Sequence, residues 1–327
     1  GRLELSGDEL NTVTASTRQL GNSTHVGMPG LTLFQSQSMT LTSTPTLSLV
    51  SSSAIVQNTG STLTASNLVA QSATNVTFGQ SGNDIDQIAL DVTGTGQARY
   101  FGTGTVTVGS LSDAEGNTVT GVSTMDGQVQ ISTGALNIDE MVNARSNNQV
   151  QLTASTGNLQ INAPVVSTAL ATGSLGDGSG SLTLVATTGS VDIASSLGTA
   201  AASSPVSITG QSGVTLSTAT SSIRTSGTLT VDADSNNDGT GDFSLTEASA
   251  TVNIVDNTVS IDAADVQIDG PLTGGTGQIT LTPSQNSAVA LGNPIGAFNL
   301  DNSDLANITS TNELSFGTNA SSLTVDG

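Results

Sequence analysis

The chain has no cysteine, no tryptophan and no lysine. Without cysteine there is no disulfide staple and no thiolate metal site. Five arginines (Arg2, Arg18, Arg99, Arg145 and Arg224) are its whole basic complement. So few scattered cations cannot displace the counterions of a nucleic acid, and they give an anionic membrane surface little to hold. No run approaches the roughly 18 apolar residues of a membrane-spanning helix, so no membrane insertion is expected. Charged residues are 9% of the chain and aromatics 2%. An ordinary globular domain carries about a quarter charged residues, so this chain is short of the groups from which catalytic sites are built.

What remains is Gly, Ser, Thr, Ala, Asn, Val and Leu, spread evenly over 327 residues. Solubility then rests on hydroxyls and amides, helped by the repulsion of a net charge of -21. Such a composition also suits disorder. Against that, the apolar share is 35%, regularly spaced, and proline is scarce at 7 residues.

The spacing is that of short strands. Apolar–polar–apolar triplets recur from end to end, among them Leu47-Ser48-Leu49, Val76-Thr77-Phe78, Val129-Gln130-Ile131, Leu159-Gln160-Ile161, Val206-Ser207-Ile208, Val259-Ser260-Ile261 and Leu323-Thr324-Val325. Alternation with period 2 puts two aliphatic residues on one face and the polar one on the other. Gly, Asn, Asp and Ser between the triplets supply turns. Helical periodicity is nearly absent, and the best helical stretch, Asp8 to Thr14, is short. Neighbouring triplets start seven to ten residues apart, so three of them make a unit of roughly 23 to 27 residues, the size of one coil of a three-sided solenoid. The starts at Val206, Leu229, Val252 and Ile279 suggest that repeat. The expected fold is all-β: one continuous parallel β-helix (β-solenoid) over 1–327, with roughly three strands per coil and about 13 coils in a rod near 60 Å long. Immunoglobulin-like sandwiches compete, but they favour an aromatic core and repeats of about 100 residues. With no initiator Met and strand pattern up to both ends, the chain is expected to be a segment of something longer. The stretches Gly173 to Gly180 and Asp232 to Asp242 read as loop excursions.

The opening run, Leu5-Ser6-Gly7-Asp8-Glu9-Leu10-Asn11-Thr12-Val13-Thr14-Ala15-Ser16-Thr17-Arg18-Gln19-Leu20-Gly21, resembles a segment of filamentous-haemagglutinin-like giant surface proteins, within a family-like opening motif over 1–24. Arg18-Gln19-Leu20 departs from the family's apolar alternation. The later runs Gly134 to Ile138 and Ser155 to Ile161 are similar to its coil repeats. The resemblance implies a right-handed β-helix, export through a Gram-negative envelope and an extracellular role at the bacterial cell surface.

Chemistry is sparse. Asp234-Ser235-Asn236-Asn237-Asp238-Gly239-Thr240-Gly241-Asp242 matches the start of a calcium loop, with Asp234, Asn236, Asp238, the Thr240 carbonyl and Asp242 as oxygen ligands for Ca²⁺. Leu245 stands where the bidentate acid belongs, and Asp232 or Glu247 are the nearby acids that would replace it. The alternative is an Asp- and Asn-rich turn between two strands. Gly274-Gly275-Thr276-Gly277 is a lone fragment of a nonapeptide calcium repeat without its Asp. Asp262, Asp265 and Asp269 suggest an acidic ladder up one side, where a cation would relieve repulsion, or else solvated carboxylates. For a glycosidase, the carboxylate pairs available are Asp84 with Asp86 and Asp113 with Glu115, both in expected turns. His25 is the single histidine; a triad built on it would need a nearby Ser and acid, and Ser is too abundant here to point to one, so it reads as a loop residue. Arg99-Tyr100-Phe101 is either a small contact surface or the cap of a widened coil. Thr105-Val106-Thr107 and Thr118-Val119-Thr120 hint at an ice-binding array but recur at no fixed spacing. Four glycosylation acceptor patterns begin at Asn22, Asn75, Asn307 and Asn319.

The expectation is a structural stalk, fibre or adhesin without an enzymatic centre and with no required cofactor. Its partners would be other copies or neighbouring segments of the same fibre, and surface glycans. A polysaccharide-binding or polysaccharide-cleaving β-helix and a self-stacking fibre subunit are the alternatives.

Overall fold

The computed structural model describes residues 7–21, 31–33, 38–42, 45–146, 148–168, 180–198, 204–292 and 297–325. His25, the acceptor pattern at Asn22 and most of the excursion expected at Gly173 to Gly180 lie outside the described residues.

The chain is a three-sided parallel β-solenoid. Each turn lays one strand on each of three faces, and the next turn stacks on it in parallel. The first face is a 12-stranded sheet. Its inward register runs through Val76, Ala98, Val129, Val150, Leu182, Val206, Leu229, Val259, Ile279 and Leu314. The second and third faces together make a 20-stranded sheet. On the second face Val214–Leu216 lies between Val191–Ile193 and Phe243–Leu245. On the third, Ser222–Thr225 lies between Ser196–Gly198 and Thr251–Ile254. In the early turns these two faces are merged in the long strands Leu63–Ser72 and Asp84–Thr95, and they part where Asp84–Thr95 pairs with both Thr105–Val108 and Val122–Asp126.

The alternation explains this architecture. A parallel sheet covered on both sides reads as a continuous apolar run. Here only the inner side is covered, so each first-face strand alternates, as Val129–Thr133, Val206–Gly210 and Val259–Ala263 do, with buried residues at first, third and fifth positions. The inward side chains form one cluster from Leu10 to Leu300. Each full burial of an aliphatic side chain stabilises by about 1.5–3 kcal/mol. Hydroxyls also point inward at strand ends, where they satisfy corner carbonyls: Ser167 donates to Asn148 O at 2.9 Å, Thr133 to Ala135 O at 2.8 Å, and Thr225 to Ser204 O. Bonded in this way, a hydroxyl is buried at little cost.

The coil length differs from the expectation. The unit of 23 to 27 residues holds from Leu182 through Val206 to Leu229, but Val259 stacks on Leu229, and Ile279 on Val259. Val252 sits instead on the third face, between Ile223 and Leu272. Corners of unequal length absorb the variation, which is why no constant period appears in the sequence. The long corner between Leu229–Asp232 and Phe243–Leu245 is the expected excursion at Asp232 to Asp242.

The two ends differ. The helix Gly7–Asn11 closes the first, with Leu10 in the core and the Asn11 amide donating to Thr40 O at 2.7 Å. At the other end Ile308–Ser310, Leu314–Phe316 and Ser322–Val325 each pair on one side only among the described residues. A second helix, Asn302–Asn307, opens on a capping box between Asp301 and Asp304.

Candidate functional site

The acidic corner after Leu229–Asp232 is the most chemically dense part of the molecule. Asp234 is fully buried. Its carboxylate accepts the Asp238 N–H at 3.2 Å, the Gly239 N–H at 2.8 Å and the Ser284 hydroxyl at 2.5 Å. Asp238 accepts the Thr240 N–H at 3.0 Å and its hydroxyl at 2.5 Å, while Asn236 turns its amide donor to Asp238 at 2.7 Å. These bonds hold the exposed Asp238 carboxyl below its usual range, the Thr240 hydroxyl contributing most. Asn237 and Gly239 supply the positive φ angles, 53° and 84°, that the tight turn requires. Gln285, from a later turn, donates to Asn237 O at 2.9 Å. The structure thus gathers Asp234, Asn236, Asp238 and Thr240 into one closed turn. Burial pushes the Asp242 carboxyl up, although it accepts the Asp265 N–H. Among the described residues no group of three or more His, Cys, Asp or Glu side chains is arranged to hold a metal ion.

Asp262, Asp265 and Asp269 lie along one turn rather than up a side. The stacked acids are Asp232 and Asp262, in register on adjacent strands. Burial first, then the charges of Asp232 and Asp234, push the Asp262 carboxyl up to about 6. One Asp262 oxygen is buried without a hydrogen-bond partner. Asp265 accepts the Val266 and Asn299 N–H groups at 2.9 and 2.7 Å. Gly274 and Gly275 end the strand Leu272–Gly275, and Thr276 in the turn after it bonds Asp256.

Arg99-Tyr100-Phe101 splits across the wall. Arg99 lies over the Phe101 ring at 4.2 Å on the outside. Tyr100 points inward, fully buried, between Phe78 and Ile131. Gly102 makes room for it, since a Cβ there would stand 2.7 Å from the Tyr100 hydroxyl. Asp84 and Asp86 are exposed residues at the start of a strand, not in a turn. Asp113 holds its turn through the Glu115 and Asn117 N–H groups at 2.9 and 2.8 Å.

No family model, curated protein or solved structure matches this chain.

Two features escaped sequence reasoning. On the first face an outward register of hydroxyls runs Thr183, Ser207, Thr230, Ser260, Thr280 and Ser315. Below it lie Arg99, Gln130 and Gln151, the two glutamines bonded at 3.1 Å. Unequal corners hide this column, although each member is the middle residue of a triplet. A shallow groove of about 170 Å³ is lined by Asp91, Val92, Thr93, Ser123, Met125 and Arg145. It is smaller than ordinary ligand pockets, which run from about 300 Å³ upward, and no motif announced it.

Proposed function

We propose that this chain is a structural segment of a bacterial extracellular surface fibre, stalk or adhesin. The observation that carries the reading is the inward aliphatic register kept over the first face from Val76 to Leu314, with hydroxyls, amides and the Arg99 guanidinium in the matching outward positions. Such a wall extends by adding turns and needs no reaction centre. The resemblance of the opening run to haemagglutinin-like proteins supports the surface location. Electron microscopy of the isolated chain should show a rod of uniform width about 55 Å long, from 12 first-face strands at about 4.8 Å each. A compact globule would remove the reading.

The hydroxyl register favours surface glycans as the adhesive partner, through hydrogen bonds in step with the strands. Glycan-array binding that is lost with Thr230→Val and Thr280→Val would support this. End-to-end stacking is the second reading: among the described residues Ile308–Ser310, Leu314–Phe316 and Ser322–Val325 pair on one side, and a second copy would pair the other. Concentration-dependent lengthening in solution would support it, and a strict monomer at high concentration would remove it.

A further inference from the structure

One element breaks the parallel pattern. Ser110–Ser112 and Thr118–Thr120 pair antiparallel as a hairpin. It leaves the wall between Gly109 and Gly121, whose backbones bond at 2.9 Å at its base. Gly121 has φ 74°, and a Cβ there would stand 2.1 Å from Met141 O, so this exit is shaped for glycine. The hairpin then runs back over turns already laid down. The outward register below its exit is Ala89, Val69, Ser48 and Gln19, on four successive strands. Leu111 and Val119 cover Val69 and Ala89 in an apolar cluster outside the main core. At the tip, Ala114 N–H donates to the Gln19 side chain at 2.8 Å, and the Gln19 amide donates to Glu115 at 3.1 Å. Ser110 and Ser112 face Thr120 and Thr118 through hydroxyl pairs at 3.1 and 3.0 Å.

In a stack where each turn touches only its neighbours, a turn opens independently of all turns beyond the adjacent ones unless something links them. The hairpin links Gln19 to residues more than ninety positions later and bypasses the intervening turns. We propose that it is a strap that locks the turns of Thr17–Leu20, Thr46–Ser51 and Leu63–Ser72, so that they open only together with the turn that carries it. Two aliphatic outward residues, Val69 and Ala89, lying under Leu111 and Val119, are its seat. Before residues 110–120 are in place that seat is uncovered, so the strap also sets an order: these turns become fully protected only once the turn that carries the hairpin has formed.

Hydrogen–deuterium exchange on the full chain tests this, with Val206–Gly210 as internal reference. In the Leu111→Ser/Val119→Ser double variant, amides of Thr46–Ser51 and Leu63–Ser72 should exchange about tenfold faster or more, and the reference should not change. Gln19→Ala, a mild change that spares the hairpin's own pairing, should accelerate Thr17–Leu20 and Thr46–Ser51 in the same direction by a smaller factor. Replacing residues 110–120 by Gly-Gly should leave the later turns folded and the first turns open. Faster exchange confined to residues 110–120, an equal change at the reference, a Gln19→Ala profile identical to the parent, or a Gly-Gly chain that fails to fold throughout would each overturn the proposal.

Discussion

Asn83 shows what a single residue does in such a wall. It is fully buried at a corner beside Gln57. Its Oδ1 accepts the Gln57 amide at 2.6 Å and the Leu63 N–H at 2.8 Å, and its Nδ2 donates to Gln57 Oε1 at 3.0 Å and Phe101 O at 2.9 Å. Asn83→Ala strips the Leu63 N–H and Phe101 O of this partner and leaves Gln57 only its bonds to Ser61 O and the Gln80 N–H, so urea denaturation should register a loss of roughly 3 kcal/mol. A loss under about 0.5 kcal/mol would mean that the amide pair is dispensable. Nothing in the local sequence distinguished this asparagine from the turn asparagines, because its role depends on a glutamine one turn below. Asp262 carries the second residue-scale prediction. Its folded pKa, about 6, lies above the ordinary 3.8. Between those values the folded state holds the extra proton, so this group's contribution to stability is full below about 4 and is lost as pH rises to about 6. Solvent screening of this half-buried group reduces the effect to the order of 1 kcal/mol. Asp262→Asn should flatten that slope and raise the melting temperature at pH 7. Parallel pH profiles of parent and variant would contradict the assignment.

At the scale of elements, most first- and second-face strands were legible because two apolar residues flank one polar residue; Ile55–Gln57 and Ala98–Phe101 lack that pattern and were not read. The third face was not. Ser196–Gly198, Ser222–Thr225 and Leu272–Gly275 carry one large apolar residue apiece, and their other inward positions are Gly, Thr or Ala-sized. Hence Val252 was assigned to a face it does not occupy. The helix Asn302–Asn307 was also unread, although Asp301 and Asp304 spell its capping box. The corner at Asp232 to Asp242 was legible as a loop, and its ligand-like acids are those that close it. Because the Asp234 and Asp238 carboxylates already accept N–H and O–H donors, adding millimolar Ca²⁺ or a chelator should leave the melting temperature unchanged. A rise of several degrees with Ca²⁺ would show that the turn rearranges around the ion and gains binding energy from it.

For the whole molecule, the decisive property is that distance along the axis counts turns, not residues. Thr77 and Thr280 lie on the outward register of the first face, eight stacking steps apart through Arg99, Gln130, Gln151, Thr183, Ser207, Thr230 and Ser260. Thr183 and Thr280 are four steps apart. The chain has no cysteine, so pairs of introduced cysteines can carry spin labels without background. Pulsed electron–electron distance measurements on Thr77→Cys/Thr280→Cys and Thr183→Cys/Thr280→Cys should give separations of about 38 Å and about 19 Å, in proportion to the number of steps at about 4.8 Å each. Separations out of that proportion, or broad distributions in place of two narrow ones, would contradict a single continuous stack.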